Sequence, residues 1–354
     1  MGLRQIQFSE AILEATRQCM EADRRVYVMG LGVPDPKGTF GTTLGLQEIF
    51  GEKRVLDMPT SENGMTGVAV GSALVGMRPL MTHQRVDFTL LAMDQIINNA
   101  AKWHYMFGGR MKVPLVIRMV IGRGWGQGPQ HSQCLQGFFA HVPGLKVVMP
   151  ATAHDAKGLL ISAIEDDNPV IFIEHRWLHM TIGSVPEEMY RVPLGKASLH
   201  REGTDVSLVA SSYMTLEALR AAEHLEKLGV SAEVVDLRSL KPLDEETVLG
   251  SVRKTGRLVA VDHAWRSVGF AAELLALAAE GAYDSLKSAP RRVTLPDLPT
   301  PSTPALANAY YPRAIEIVNA ALETLGRSAT EEDVLGIRHD MPLDVPDKSF
   351  IGPF

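Results

Sequence analysis

Short runs of β-forming, nearly continuously apolar residues recur along this chain, and stretches with the helical hydrophobic period separate them. A first group comprises VYVMG (26–30), RVLDM (54–58), RPLMTH (78–83), VPLVIRMV (113–120), LKVVMP (145–150) and PVIFIEH (169–175). A second comprises DVSLVA (205–210), SAEVVDLR (231–238), RLVAVDH (257–263) and RRVTLPD (291–297). Runs without polar alternation suit strands buried on both faces, as in parallel sheets. Amphipathic stretches at roughly 9–23, 88–106, 153–166, 213–229, 243–254, 267–280 and 313–325 fall between them. Strand–helix–strand alternation in two groups predicts an α/β chain with two parallel-sheet domains.

The polar stretch 176–204, with IGSVPEEMYRVPLGK between two strand runs, marks the boundary. The expected organisation is a first domain over 1–185, a linker over 186–199, a second domain over 200–326 and an irregular tail over 327–354. LPTPSTPALANAYYP (298–312) is a proline-punctuated excursion before the last amphipathic stretch. The tail has little periodicity and reads either as frayed or as wrapping a surface or partner.

Composition excludes several classes. Lys and Arg number 35 against 41 Asp and Glu, a net charge of −6, so nothing overall draws the chain to nucleic acid or to an anionic membrane. Two cysteines, Cys19 and Cys134, rule out a disulfide scaffold and a four-thiolate metal site, and they fit a reducing compartment. No apolar run approaches the ~20 residues of a membrane span. The first residues mix acids and bases on a helical period, unlike a targeting peptide, so a cytoplasmic location is expected. No Walker loop or G-x-S-x-G elbow occurs. The best dinucleotide-type run, Gly122-Arg-Gly124-Trp-Gly126-Gln-Gly128, has Gln127 in place of the third glycine. His131 and Cys134 lack the companions that zinc requires. The glycine run fits either a plain flexible loop or close approach of backbone to a ligand.

The most informative segment runs from Met58-Pro59-Thr60-Ser61-Glu62-Asn63-Gly64 to Gly76. A strand ends at Met58, Thr60 or Ser61 can cap a helix, and Glu62 falls in its first turn. Taken alone, Glu62 reads as a capping acid. Glycines at 64, 67, 71 and 76 would each cost about 1 kcal/mol in a helix interior relative to alanine. Their recurrence predicts close packing against a large partner or cofactor. Further segments of interest are His83-Gln84-Arg85-Val86-Asp87-Phe88, Gln130-His131-Ser132-Gln133 and Pro143-Gly144-Leu145 through Pro150.

Together with GLQEIFG (45–51), RVLDMPTSE (54–62), DQIINNAAK (94–102), QHSQC (130–134), FFAHVPGLKVVMP (138–150) and SAIEDDNPV (162–170), these blocks resemble the beta subunit of the thiamine-diphosphate-dependent 2-oxoacid dehydrogenases. That is the decarboxylating first component of the pyruvate and branched-chain complexes, of transketolase-like fold. The resemblance runs from about residue 6 to residue 325. It implies a transketolase-like pyrimidine-binding domain followed by a transketolase C-terminal-like domain.

By that resemblance, Glu62 matches the glutamate that hydrogen-bonds a ring nitrogen of the cofactor's aminopyrimidine and acts as its acid/base partner. Phe88 matches the aromatic that stacks on the pyrimidine. His131 matches a histidine on the thiazolium side that handles substrate or acyl group. Leu115, Ala163, Ile164, Asp166 and Asn168 match positions that hold a structural potassium ion in some members. The chain has no Gly-Asp-Gly motif, which in the family holds diphosphate and magnesium. The resemblance therefore implies a separate alpha subunit supplying that half of the site, in an α2β2 heterotetramer.

Two departures qualify the activity. The family's acids after the first strand are replaced in Gly30-Leu31-Gly32-Val33, and its Gln-Phe-Ala-Asp is Gln84-Arg85-Val86-Asp87. Arg85, with Gln84, is expected near the substrate entrance, favouring an anionic or polar acyl group. The principal expectation is decarboxylation of a 2-oxoacid and transfer of the acyl group to lipoamide, with a lipoyl acyltransferase as further partner. The alternative is a stand-alone two-component carboligase or acyl transferase of specialised metabolism with another acceptor. A silent scaffold subunit has no chemical need for Glu62, Phe88 and His131 together.

Overall fold

The computed structural model describes residues 3–124, 126–335 and 337. They form two compact units, the first from residues up to 122 and from 130 to 194, the second from 123–129 and from 195 onward. In the first unit the strands are β1 (Leu3–Gln7), β2 (Val26–Gly30), β3 (Val55–Leu56), β4 (Arg78–His83), β5 (Val116–Ile121), β6 (Lys146–Val148), β7 (Val170–His175) and β8 (Ile182–Pro186). Six of them lie in the order β6-β7-β5-β4-β2-β3, every pair parallel. Every residue of β2, β5 and β7 is buried, the burial that their unbroken apolar runs require.

The helix Phe8–Ala22 packs on the helix Ala153–Glu165, whose start Thr152 caps by accepting from the Asp155 backbone. Two ion pairs tie this layer, the first of them buried. Lys157 reaches Glu14 at 2.5 Å, and Arg4 also bonds Glu14. β1 and β8 form an antiparallel ribbon outside the main sheet.

The second unit contains β9 (Ser198–Arg201), β10 (Val206–Ala210), β11 (Ala232–Asp236), a short β12 (Ser239–Lys241), β13 (Leu258–Trp265) and β14 (Arg291–Leu295). Its sheet runs β14-β13-β10-β11-β9, parallel except for the antiparallel edge strand β9. The helices Tyr213–Lys227, Glu245–Thr255, Phe270–Gly281 and Ala314–Thr324 occupy the expected stretches.

Three expectations change. The stretch 176–204, read as irregular, contains β8 and β9, which are too short and too exposed to show a period. The single helix expected over 88–106 is divided into Val86–Thr89, a 3-10 turn at Leu90–Ala92, a π-helical segment Gln95–Ala100 and Ala101–Met106. Apolar periodicity does not encode that change of hydrogen-bond register. The expected irregular tail contains a helix at Glu331–Leu335, and its remainder over 338–354 lies outside the described residues. Among the described residues no helix is long and apolar enough to cross a membrane.

Candidate active site

The carboxyl ends of parallel strands are where α/β sheets bind ligands, because the following loops and helix starts converge there. Glu62 follows β3, Phe88 follows β4 and His131 follows β5. Glu62 opens the helix Glu62–Leu74, with Ser61 in the capping position but without a side-chain cap bond. Its residue is 5% exposed, yet its carboxylate takes no hydrogen bond or ion pair from any described residue.

Phe88 lies in the short helix after β4 and is half-buried. Its ring is 5.3 Å from that of the exposed His131, tilted by 43°. The two segments are tied by Gln133, whose amide donates to Asp87 Oδ1 at 2.6 Å. Burial raises the Asp87 carboxyl above its ordinary range, against the Gln133 bond. Nothing in the residue spacing had marked Asp87 or Gln133 as a link between the two motifs.

Arg85 does not stand on an open rim. It is 3% exposed, donates to the Gly122 carbonyl at 2.5 Å and lies over the Phe40 ring at 5.6 Å. Arg176 lies over the same ring at 4.8 Å, and burial pushes its guanidinium down to about 10. Phe40 itself has φ +59°, a left-handed conformation that costs a non-glycine residue energy and collects at functional sites. Gly122 has room for no side chain, since a Cβ there would lie 2.5 Å from His175 Nε2. Gln84 donates to the Leu31 carbonyl at 3.2 Å.

The glycine-rich helix meets two different surroundings. A Cβ at Gly67 would lie 3.3 Å from Gln95 Oε1, so this glycine allows the π-helical segment to approach. At Gly71 a Cβ would meet nothing within 4 Å, and Gly64, Val68 and Gly71 are exposed along one face.

Leu115 lies beside the 163–168 turn, where its carbonyl accepts from Val170 N at 2.9 Å and Val113 N donates to the Asp167 carbonyl at 3.0 Å. The oxygens expected to hold potassium are largely engaged there. Arg78 Nη1 donates to the Ile164 and Asp166 carbonyls, each at 3.0 Å. The Ala163 carbonyl accepts from Asp166 N at 3.3 Å. The Asp166 carboxylate bonds Lys146 Nζ and accepts from Asn168 N at 2.8 Å. An arginine thus meets two of these carbonyls and a lysine the Asp166 carboxylate, while each carbonyl oxygen keeps a second lone pair.

Comparison with known proteins accords with this layout. The family model for the transketolase pyrimidine binding domain matches residues 4–180, and that for the transketolase C-terminal domain matches 195–317. The chain is 42% identical to the acetoin:2,6-dichlorophenolindophenol oxidoreductase subunit beta of Bacillus subtilis, over 92% of this chain and 99% of that one. It is 40% identical to the pyruvate dehydrogenase E1 component subunit beta of Rickettsia bellii, over 89% of this chain and 97% of that one. A solved structure described as a split gene transketolase, inactive beta4 tetramer, matches with TM-score 0.73 and 25% identity, covering 92% of this chain and all of that one. The chain belongs to the transketolase family in which a pyrimidine-binding domain is joined to a transketolase C-terminal domain, together with the beta subunits of pyruvate dehydrogenase E1 and of acetoin:2,6-dichlorophenolindophenol oxidoreductase.

Proposed function

We propose that this chain is the beta subunit of a two-component thiamine-diphosphate enzyme that decarboxylates a 2-oxoacid and passes the acyl group to lipoamide. The observation that carries the reading is Glu62, 5% exposed at a helix start beyond a parallel strand, whose carboxylate bonds no partner among the described residues. A ring nitrogen bearing a proton supplies the missing donor.

Thiamine diphosphate, when bound, would supply the nucleophilic carbon and the electron sink that decarboxylation needs. Glu62 holds and returns the proton on the pyrimidine ring nitrogen. Phe88 offers its ring face to the pyrimidine. His131, against the Phe88 edge, is placed to hydrogen-bond the acyl oxygen or move a proton at it. Gln133 and Asp87 hold these two rings in register. Arg85, buried against Phe40 and the Gly122 carbonyl, would favour an acyl group with a polar or anionic end. The diphosphate and its magnesium belong to an alpha subunit, because this sequence has no Gly-Asp-Gly motif. The bare Gly64–Val68–Gly71 face is where that subunit would pack closely.

Co-expression with candidate alpha subunits, followed by product analysis from a panel of 2-oxoacids and acetoin with and without lipoamide, tests the reading. Turnover is expected only in the assembled, cofactor-loaded enzyme. Turnover by this chain alone, or by an assembly lacking the cofactor, overturns it.

A further inference from the structure

We propose that the end of the first unit's sheet opposite Glu62 carries a binding pocket for a small phosphate-bearing anion, built from Arg25, Arg110 and Lys112 over Arg78. A cavity of about 320 Å³ opens at the amino ends of β2, β4 and β5, with these four cations and Asp167 in its wall. Arg25 immediately precedes β2, Arg78 opens β4, and Lys112 leads into β5. Parallel pairing sets Arg25 next to Arg78, and Lys112 joins them through the Asp167 carboxylate that it shares with Arg78.

The charges do not cancel. Four cations face Asp167 in the wall and Asp23 beside it, 4 − 2 = +2, on a chain whose net charge is −6. Lys112 and then Arg78 hold the Asp167 carboxyl below its ordinary range, so it stays ionised and is already counted. Arg78 is fixed as the floor by the Ile164 and Asp166 carbonyls and by Asp167 at 2.8 Å. The other three keep donors in reserve. Arg25 uses Nε and Nη2 on Asp23 and leaves Nη1. Lys112 makes one bond, to Asp167 at 2.5 Å. The Arg110 side chain has no hydrogen bond or ion pair among the described residues.

A plainer role for these cations is to balance helix carboxyl ends, since the helix Glu62–Leu74 finishes at this cavity. Its last carbonyls are closed by other means. Gly76 N donates to Ala73 O and Met77 N to Ser72 O, both at 3.0 Å. The neighbouring helix Phe8–Ala22 is closed by Asp23 N on Cys19 O at 3.0 Å. Neither the Arg110 nor the Lys112 side chain bonds a helix-end carbonyl among the described residues. Guanidinium forks and a lysine suit a phosphate's several oxygens.

The test is calorimetric titration of sodium pyrophosphate into the alpha–beta assembly saturated with thiamine diphosphate, at constant ionic strength. One saturable site per copy of this chain is expected. The double variant Arg110→Ala/Lys112→Ala alters two exposed side chains and should keep the melting temperature while weakening binding about tenfold or more. Unchanged affinity in the variant would place the anion elsewhere in the assembly and overturn the proposal. So would the absence of saturable binding, or a melting temperature raised by potassium over sodium chloride but unmoved by pyrophosphate.

Discussion

The Gln133 amide donates to the Asp87 carboxylate across 2.6 Å, joining the segment that carries His131 to the turn that carries Phe88. The other Asp87 oxygen is buried without a donor, so this bond is the principal side-chain support of a half-desolvated carboxylate. Gln133→Ala removes it and leaves the acid unsatisfied. A loss of about 1–3 kcal/mol in denaturant unfolding is expected. A larger proportional loss should appear in turnover, because the ring pair loosens. Stability unchanged with full turnover would show that the bond holds nothing.

Glu62→Gln separates chemistry from folding. No described side chain or backbone group bonds the carboxylate, so the thermal midpoint of this chain should hardly move. Turnover of the assembly should fall by about 10²–10⁴, the usual worth of a positioned acid/base group. Circular dichroism melting and steady-state kinetics on one preparation give both readings.

Gly71 offers the converse separation. A Cβ there meets nothing within its own chain, and alanine is favoured over glycine in a helix by about 1 kcal/mol. Gly71→Ala should keep or slightly raise the melting temperature of the isolated chain. Gly71→Leu should block association with the alpha subunit, read by size-exclusion chromatography. Normal assembly of the leucine variant would remove this face from the interface.

What the sequence disclosed and what it concealed follow a physical division. Val170–His175 was readable because a strand buried on both faces admits few polar residues. The place of Glu62 at a helix start was readable because Thr60 and Ser61 are capping residues directly after a strand run. β9 was hidden because Ser198–Arg201 is an edge strand with exposed side chains and no apolar run. The contacts of Arg78 with Ile164 and Asp166 were hidden for another reason. They join residues more than eighty positions apart, and a match of residue types at 163–168 does not show what stands against those oxygens. Arg85 was noticed as a departure, but its burial under Phe40 depends on a loop whose left-handed residue carries no glycine to mark it.

His83 sets an acid limit on stability. It is 2% exposed, and burial pushes its imidazole down from 6.5 to about 4. Between those values the unfolded chain binds the proton and the folded chain does not. Stability therefore falls as pH drops through 6.5 and stops falling on this account below about 4. The full effect is at most roughly 3–4 kcal/mol, since a tenfold change in proton affinity is worth about 1.4 kcal/mol. His83→Phe should flatten the profile over that window, measured by urea unfolding at a series of pH values. An unaltered slope would assign the acid loss to other groups.

The Lys157 ammonium is fully buried and surrounded by oxygens. Glu14 Oε1 lies at 2.5 Å, and the carbonyls of Pro186, Glu187 and Glu188 lie at 2.8, 3.0 and 2.9 Å. Three successive carbonyls turned to one point fix the chain as it leaves β8, and the Tyr190 ring closes over the same ammonium at 5.3 Å. Lys157→Met keeps much of the apolar stem but leaves those carbonyls without a donor and Glu14 with Arg4 as its remaining cation. Removing one partner of a buried pair typically costs about 3–5 kcal/mol, mostly from the charge left behind. The double variant Glu14→Gln/Lys157→Met removes that stranded charge and should recover part of the loss, while the unpaired carbonyls keep it below the parent. Chemical denaturation of the parent, both single variants and the double variant closes the cycle. Strict additivity of the two single effects would mean that the ion pair contributes nothing of its own and that the carbonyl cage alone holds the segment.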